Sequence, residues 1–239
     1  IYSMKNIINK GDDELNFTKI DGFLAVFMIG YVFFSTIVCR YIVFDLGLWD
    51  KFVSYFNDRL FAKFLFQIPL SLFQLLPIFI ILKYRKQSLK SIGFNKVQIL
   101  KQISIGIILY IPLYLLSLIL NWVPGINFNL DSMSIWSFLY MLIEIALVEE
   151  IIFRAFIQQR LNGLIRNKYI NLLVVAFVFG SVHIPFMLAQ SNLTFVQVFI
   201  SVIPKMVMHI YFVGIYKAGN NSVLSATIVH GVNNFIAIL

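Results

Sequence analysis

Apolar runs of about 17 to 25 residues, the length that crosses a bilayer as a helix, recur seven times along this 239-residue chain. They fall at approximately Gly22 to Phe44, Leu60 to Leu82, Ile103 to Trp122, Ser134 to Gln158, Ile170 to Ala189, Phe195 to Tyr216 and Ser222 to Leu239. With 60% hydrophobic and 13% charged residues and a mean hydropathy of +0.86, the composition is that of a polytopic membrane protein rather than a soluble domain. The expected fold class is all-α: a transmembrane helix bundle of about seven spans, forming one integral-membrane domain over 1–239. Pro69, Pro77, Pro112, Pro185 and Pro204 lie inside these runs. Each removes a backbone hydrogen bond and is expected to kink its helix or help to end it.

The formal net charge of +8 does not point to nucleic acid, because Lys and Arg sit in loops between apolar runs and not along a stripe interleaved with aromatics. Their distribution instead reads as membrane topology. The N-terminal stretch carries Lys5, Lys10 and Lys19, the second loop has Lys83, Arg85, Lys86, Lys90, Lys96 and Lys101, and the fourth has Arg160, Arg166 and Lys168. Lys217 follows in the sixth, whereas the first loop has Lys51 and Arg59 and the third and fifth have none. The positive-inside rule then puts the N-terminus in the cytoplasm and the C-terminus outside a plasma membrane. No cleavable signal peptide is expected in the polar first twenty residues, where Met4 is a candidate start. The single cysteine, Cys39, excludes an intramolecular disulfide and a cysteine-based zinc site and reads as a packing residue.

Three of the apolar runs carry polar groups that are expensive to keep in a membrane. The fourth holds Glu149-Glu150-Ile151-Ile152-Phe153-Arg154, the fifth His183, and the seventh His230 and Asn234. At about 1.5 Å per residue, Glu149 and Glu150 lie about 15 Å from the inner end of their helix, His183 about 20 Å, His230 about 13 Å and His209 of the sixth run about 12 Å. This agreement in depth implies one shared cavity, which we expect to open to the cytoplasm.

Adjacent residues on a helix point about 100° apart, so Glu149 and Glu150 cannot serve the same point, whereas Glu150 and Arg154 at i,i+4 can pair. Glu150 is therefore assigned to a structural ion pair, leaving Glu149 to face the cavity as a general base on water, with His183 as its partner. His230 and Asn234, also at i,i+4, present donors suited to an oxyanion hole. The same groups suit a metal: Glu149, His183 and His230 can form a three-ligand zinc site, although H-E-x-x-H is absent. The cofactor is thus either zinc or none. Glu144, six residues before Glu150, is expected on a different face, and His209 reads as a packing histidine although Lys205 makes its helix polar enough to line the cavity. The aromatics, Met206 and Met208 read as packing or lipid-facing residues.

E-E-x-x-x-R at Glu149 to Arg154, F-x-x-x-H at Phe179 to His183 and H-x-x-x-N at His230 to Asn234, in that order on separate apolar runs, resemble the CPBP family of CAAX proteases and bacteriocin-processing enzymes, also called Abi. The chain is similar to the type II CAAX prenyl endopeptidases from about Ser134 onward, so the expected catalytic half is 134–239. The resemblance implies an all-helical intramembrane endopeptidase in which Glu149 and His183 activate water and His230 and Asn234 stabilise the oxyanion, supported by Glu150 and Arg154. Members have been described both as metalloproteases and as metal-free glutamate proteases. Bacterial ones are linked to bacteriocin maturation, self-immunity and peptide signalling, and the short chain looks bacterial. The implied partners are a membrane-associated or cytoplasm-facing peptide or protein substrate and the lipid bilayer, with no nucleic acid. Two other readings fit the buried charges: a non-catalytic bacteriocin-immunity or binding protein, and a transporter relaying protons through Glu149, His183 and His230.

Overall fold

Why an apolar chain folds into this set of helices is visible at their starts, where a side chain takes over the amide partners that the first turn lacks. The computed structural model describes residues 17–94, 99–119, 134–190 and 194–238 and contains, among them, helices and no strand. Lys5, Lys10, Lys96, Trp122, the third loop and Leu239 lie outside the described residues. Helix α1 (Lys19–Arg40) opens on a capping box in which the Thr18 hydroxyl accepts from the Asp21 amide and the Asp21 carboxylate accepts from Thr18. It runs on as a π turn, Tyr41–Asp45, before the short α2 (Leu48–Val53). Asp58 caps α3 (Arg59–Tyr84). Beyond α4 (Ile99–Ile119) comes α5, the helical run 135–160, capped by Ser134. Then follow α6 (Lys168–Ser181), α7 (Ile184–Gln190), α8 (Phe195–Ala218) and α9 (Val223–Ile236).

Each expected span appears as a helical run. Among the described residues, five stretches are long and apolar enough to cross a membrane: Lys19–Asp45, Arg59–Tyr84, Ile99–Leu116, Lys168–Ala189 and Val196–Ala218. Helix α9 is apolar but shorter, and α5 carries Glu144, Glu149, Glu150 and Arg154. The outer faces expose Phe23, Leu72, Ile108 and Ile200, the surface expected where hydrocarbon and not water is the solvent. The protein is thus an all-α membrane helix bundle. Pro69 and Pro77 lie inside α3, Pro112 inside α4 and Pro204 inside α8 without ending them. Pro185 alone accompanies a break, between α6 and α7.

Helix α5 is the buried element around which the others pack. In it Tyr140–Leu147 and Glu150–Ile157 are π-helical, closing i→i+5 hydrogen bonds, a winding rare outside functional sites. The whole Glu150–Ile157 segment is buried. Helix α9 lies against α4 and the first π segment, while α8 lies along α6.

The two ends of the bundle differ. At one, the buried Asp21 carboxylate accepts from Arg85 Nε at 3.1 Å and Gln87 Nε2 at 3.0 Å. Arg160 Nη2 donates to Gln87 Oε1 at 2.6 Å and to Ser91 Oγ at 3.0 Å, its guanidinium lying over the rings of Phe156 and Phe17. Val223 N–H donates to the Gly93 carbonyl, and Ser222 Oγ to Gln102 Oε1. The other end is held by rings: Trp49 with Phe66, Phe61 with Trp136, Phe44 with Phe186, and Phe138 with Phe235.

Gly163 permits the close approach of the α5–α6 turn to the start of α1, because a Cβ there would stand 2.1 Å from the Thr18 carbonyl oxygen. Gly163→Val is expected to cost about 1–3 kcal/mol, as overpacking does. Thermal unfolding in detergent micelles should show a lowered midpoint, with Gly30→Ala, where nothing lies within 4 Å, giving no loss.

Candidate active site

A buried carboxylate and a buried guanidinium meet first. Glu150 and Arg154 have no solvent exposure, and Arg154 Nη1 stands 3.2 Å from Glu150 Oε1, the i,i+4 pairing expected from their spacing. The guanidinium also lies over the ring of Phe179 at 4.2 Å and that of Phe212 at 5.0 Å, so α6 and α8 supply aromatic faces to the same cation. Glu150 Oε1 additionally lies 2.8 Å from His230 Nδ1. Helix α9 comes near enough for that contact because Gly231 is bare: a Cβ there would be 2.9 Å from Leu142 Cα.

With Glu150 directed inward, Glu149 faces a cavity of about 700 Å³. Its Oε1 stands 3.7 Å from His183 Nε2 and its Oε2 3.7 Å from His230 Nε2. Both separations exceed a direct hydrogen bond and suit one solvent oxygen bridging from the side. The neighbours of each ring fix its tautomer. His183 Nδ1 lies 2.8 Å from the Phe179 carbonyl, which can only accept, so Nδ1 carries the proton and Nε2 presents a lone pair to the cavity. His230 is oriented in the same sense by Glu150, and an Nε2 that donates there requires the doubly protonated ring. Phe212 stacks on His230 at 4.7 Å, and Phe179 meets His183 edge-on at 5.1 Å.

Asn234 lines this cavity too, beside Asn233, which sequence reasoning passed over. Lys205 and Met208 line it, as does Cys39, so Cys39 and Met208 are wall residues as well as packing groups. One residue reading is corrected, Glu144, while for His209 the packing reading holds and the depth argument fails. Glu144 was expected on a different face but lines the cavity with Glu149. In an α-helix a separation of five residues turns a side chain by about 140°, whereas the i→i+5 winding of Tyr140–Leu147 brings it back toward the same face. His209 does not join the cavity in spite of its matching depth. It is fully buried, its Nε2 3.0 Å from Gln158 Oε1, and Gln158 in turn donates to Asn171 Oδ1 at 3.1 Å, the arrangement of a packing histidine.

The cavity also has a direction along the bundle. From Glu149 it runs past Lys63 and Tyr140 to Phe44, Trp49 and Phe186, toward the ring-held end. No residue of the end tied by Asp21 and Arg160 lines it. Depth along a helix places a side chain but is silent on which way the space beside it opens.

The zinc reading of Glu149, His183 and His230 was tested on the same geometry. The lone pairs are suitably directed, yet Glu149 faces the two imidazoles with different oxygens, and among the described residues no three His, Cys, Asp or Glu side chains stand as a group that could hold a metal ion. Every step below is therefore derived from the acid, imidazole and amide groups alone.

Fold and site together define a class: an integral-membrane helix bundle with an acid–imidazole centre in a cavity. Residues 131–236, a little under half of the chain, match the family described as type II CAAX prenyl endopeptidase, Rce1-like, a likeness to the CPBP, or CAAX protease, family. That family implies protease activity on a peptide or protein in a membrane setting. No curated protein and no solved structure matches the chain.

Arg154→Ala would leave Glu150 charged and buried without its cation, which typically costs about 3–5 kcal/mol. Glu150→Gln with Arg154→Met removes both charges and is expected to recover most of that loss. Denaturation midpoints of the two singles and the double in one detergent would measure the coupling.

Proposed function

We propose that this protein is an intramembrane endopeptidase in which Glu149 and His183 activate water against a peptide bond held in the cavity. The observation that carries this reading is the meeting of Glu149 from α5, His183 from the α6–α7 break and His230 from α9, with both imidazoles 3.7 Å from the one carboxylate. Glu149 takes a proton as the water oxygen bonds to the substrate carbonyl carbon, and the carbonyl π electrons move onto its oxygen. The amide of Asn234 and, when doubly protonated, His230 Nε2 donate to that oxyanion. Collapse expels the amine, which takes its proton from the Glu149–His183 pair as the C–N bond breaks. Glu150 and Arg154 touch no substrate; they hold His230 and keep Glu149 turned to the cavity.

The buried centre favours hydrolysis over a binding role, since a binder needs neither a base nor a pair of oxyanion donors. A proton relay would be served by a chain of groups leading across the bundle, whereas these converge on one point beside a cavity wide enough for several residues of extended peptide.

In reconstituted vesicles with a co-expressed peptide precursor, Glu149→Gln and His183→Ala are each expected to lower turnover by about 10²–10⁴-fold, the range for loss of general-base catalysis, without loss of membrane insertion. Wild-type processing by Glu149→Gln would defeat the proposal. Activity should persist after dialysis against a strong zinc chelator; its loss, with recovery on adding zinc alone, would assign a metal-dependent reaction to the same residues.

A further inference from the structure

We infer that the cavity receives its substrate from the extracytoplasmic side of the membrane, a step that rests on the hydrolase reading for the word substrate but not for the direction. Two observations combine. The first is the asymmetry of the bundle. One end is shut by Asp21, Arg85, Gln87, Ser91 and Arg160, bonded across α1, α5 and the α3–α4 loop, and by the Gly163 turn pressed against Thr18. The cavity instead reaches the opposite end, where Phe44, Trp49, Lys63, Tyr140 and Phe186 form its outer wall.

The second is where the charge lies on that frame. The shut end carries Lys19, Lys83, Arg85, Lys86 and Lys90 around α1 and α3, Arg160, Arg166 and Lys168 around the α5–α6 turn, and Lys101 and Lys217 on α4 and α8, with Asp21 as its acid among the described residues. At the open end Arg40, Lys51, Arg59 and Lys63 are nearly balanced by Asp45, Asp50 and Asp58, and Arg40 is held by Asp45 at 2.8 Å. Loops with the excess of Lys and Arg stay in the cytoplasm whatever acids accompany them, and ten such residues stand at the shut end against four at the open one. The shut end is therefore cytoplasmic, and the mouth faces out.

The substrate class follows from that geometry: a polypeptide segment outside the membrane or inserted into its outer leaflet, able to thread past Trp49 and Phe186 to Glu149. Lys63, whose Nζ lies 4.5 Å above the Tyr140 ring, is a cation that such a segment meets on the way in.

Single-cysteine variants in the otherwise intact protein, on a Cys39→Ala background, test the direction without any assay of turnover. Tyr55→Cys reports on the open end and Leu89→Cys on the shut end, at positions 85% and 53% exposed. A membrane-impermeant maleimide on intact bacterial cells is expected to label Tyr55→Cys at once and Leu89→Cys only after permeabilisation. A small impermeant thiosulfonate should also reach Lys63→Cys in intact cells. The reverse pattern, labelling of both ends or of neither before permeabilisation, or a Lys63→Cys that stays unreactive while Tyr55→Cys reacts, overturns the inference. None of these outcomes depends on catalysis, so they stand apart from the Glu149→Gln result that decides the hydrolase reading.

Discussion

A fully buried guanidinium has to find its counter-charge inside the protein, because leaving an ion uncompensated in a low-dielectric interior costs about 3–5 kcal/mol, a large share of a domain's stability. Arg154 finds Glu150 one turn away and the rings of Phe179 and Phe212 on either side. This single requirement joins α5 to α6 and α8, and Glu150 extends it to α9 through His230. The neighbouring carboxylate inherits its direction. With Glu150 committed to the interior, Glu149 points elsewhere, and elsewhere is the cavity.

The cavity is composite. The acid and both imidazoles lie in the stretch that matches the endopeptidase family, whereas Cys39, Trp49, Lys63, Gln67 and Gln74 of the wall come from α1 to α3, before that stretch begins. The acid and imidazoles thus come from one half of the chain, whereas the wall is shared between both halves. On the hydrolase reading, the side chains that select among substrates include those that α1 to α3 add to the wall.

Much of this was legible in the sequence. Apolar run length gave the helices, since a backbone in hydrocarbon must satisfy its own hydrogen bonds, and i,i+4 spacing gave the Glu150–Arg154 pair. Depth along each span brought Glu149, His183 and His230 together. It failed for His209, because equal depth is compatible with facing either the cavity or a neighbouring helix, and Gln158 and Asn171 offered the latter. Glu144 was misplaced for a different reason: angular arithmetic assumes 3.6 residues per turn, and no local propensity announces a π segment. Lys63 and Asn233 had no motif to reveal them. Their positions depend on how α3 and α9 are docked, which is a property of the assembled bundle.

The widened coil of α5 carries a genetic consequence. Wherever a helix holds i→i+5 bonds, it contains more residues than an α-helix of equal turns, and loss of one codon lets it relax to the commoner form. Between Tyr140 and Glu149 that relaxation would absorb such a loss and leave the acid at its pocket, whereas the same loss in an α-wound span would turn everything downstream by about 100°. Length variation among natural or engineered descendants of this chain should therefore gather in its loops and, among its spans, in this one helix.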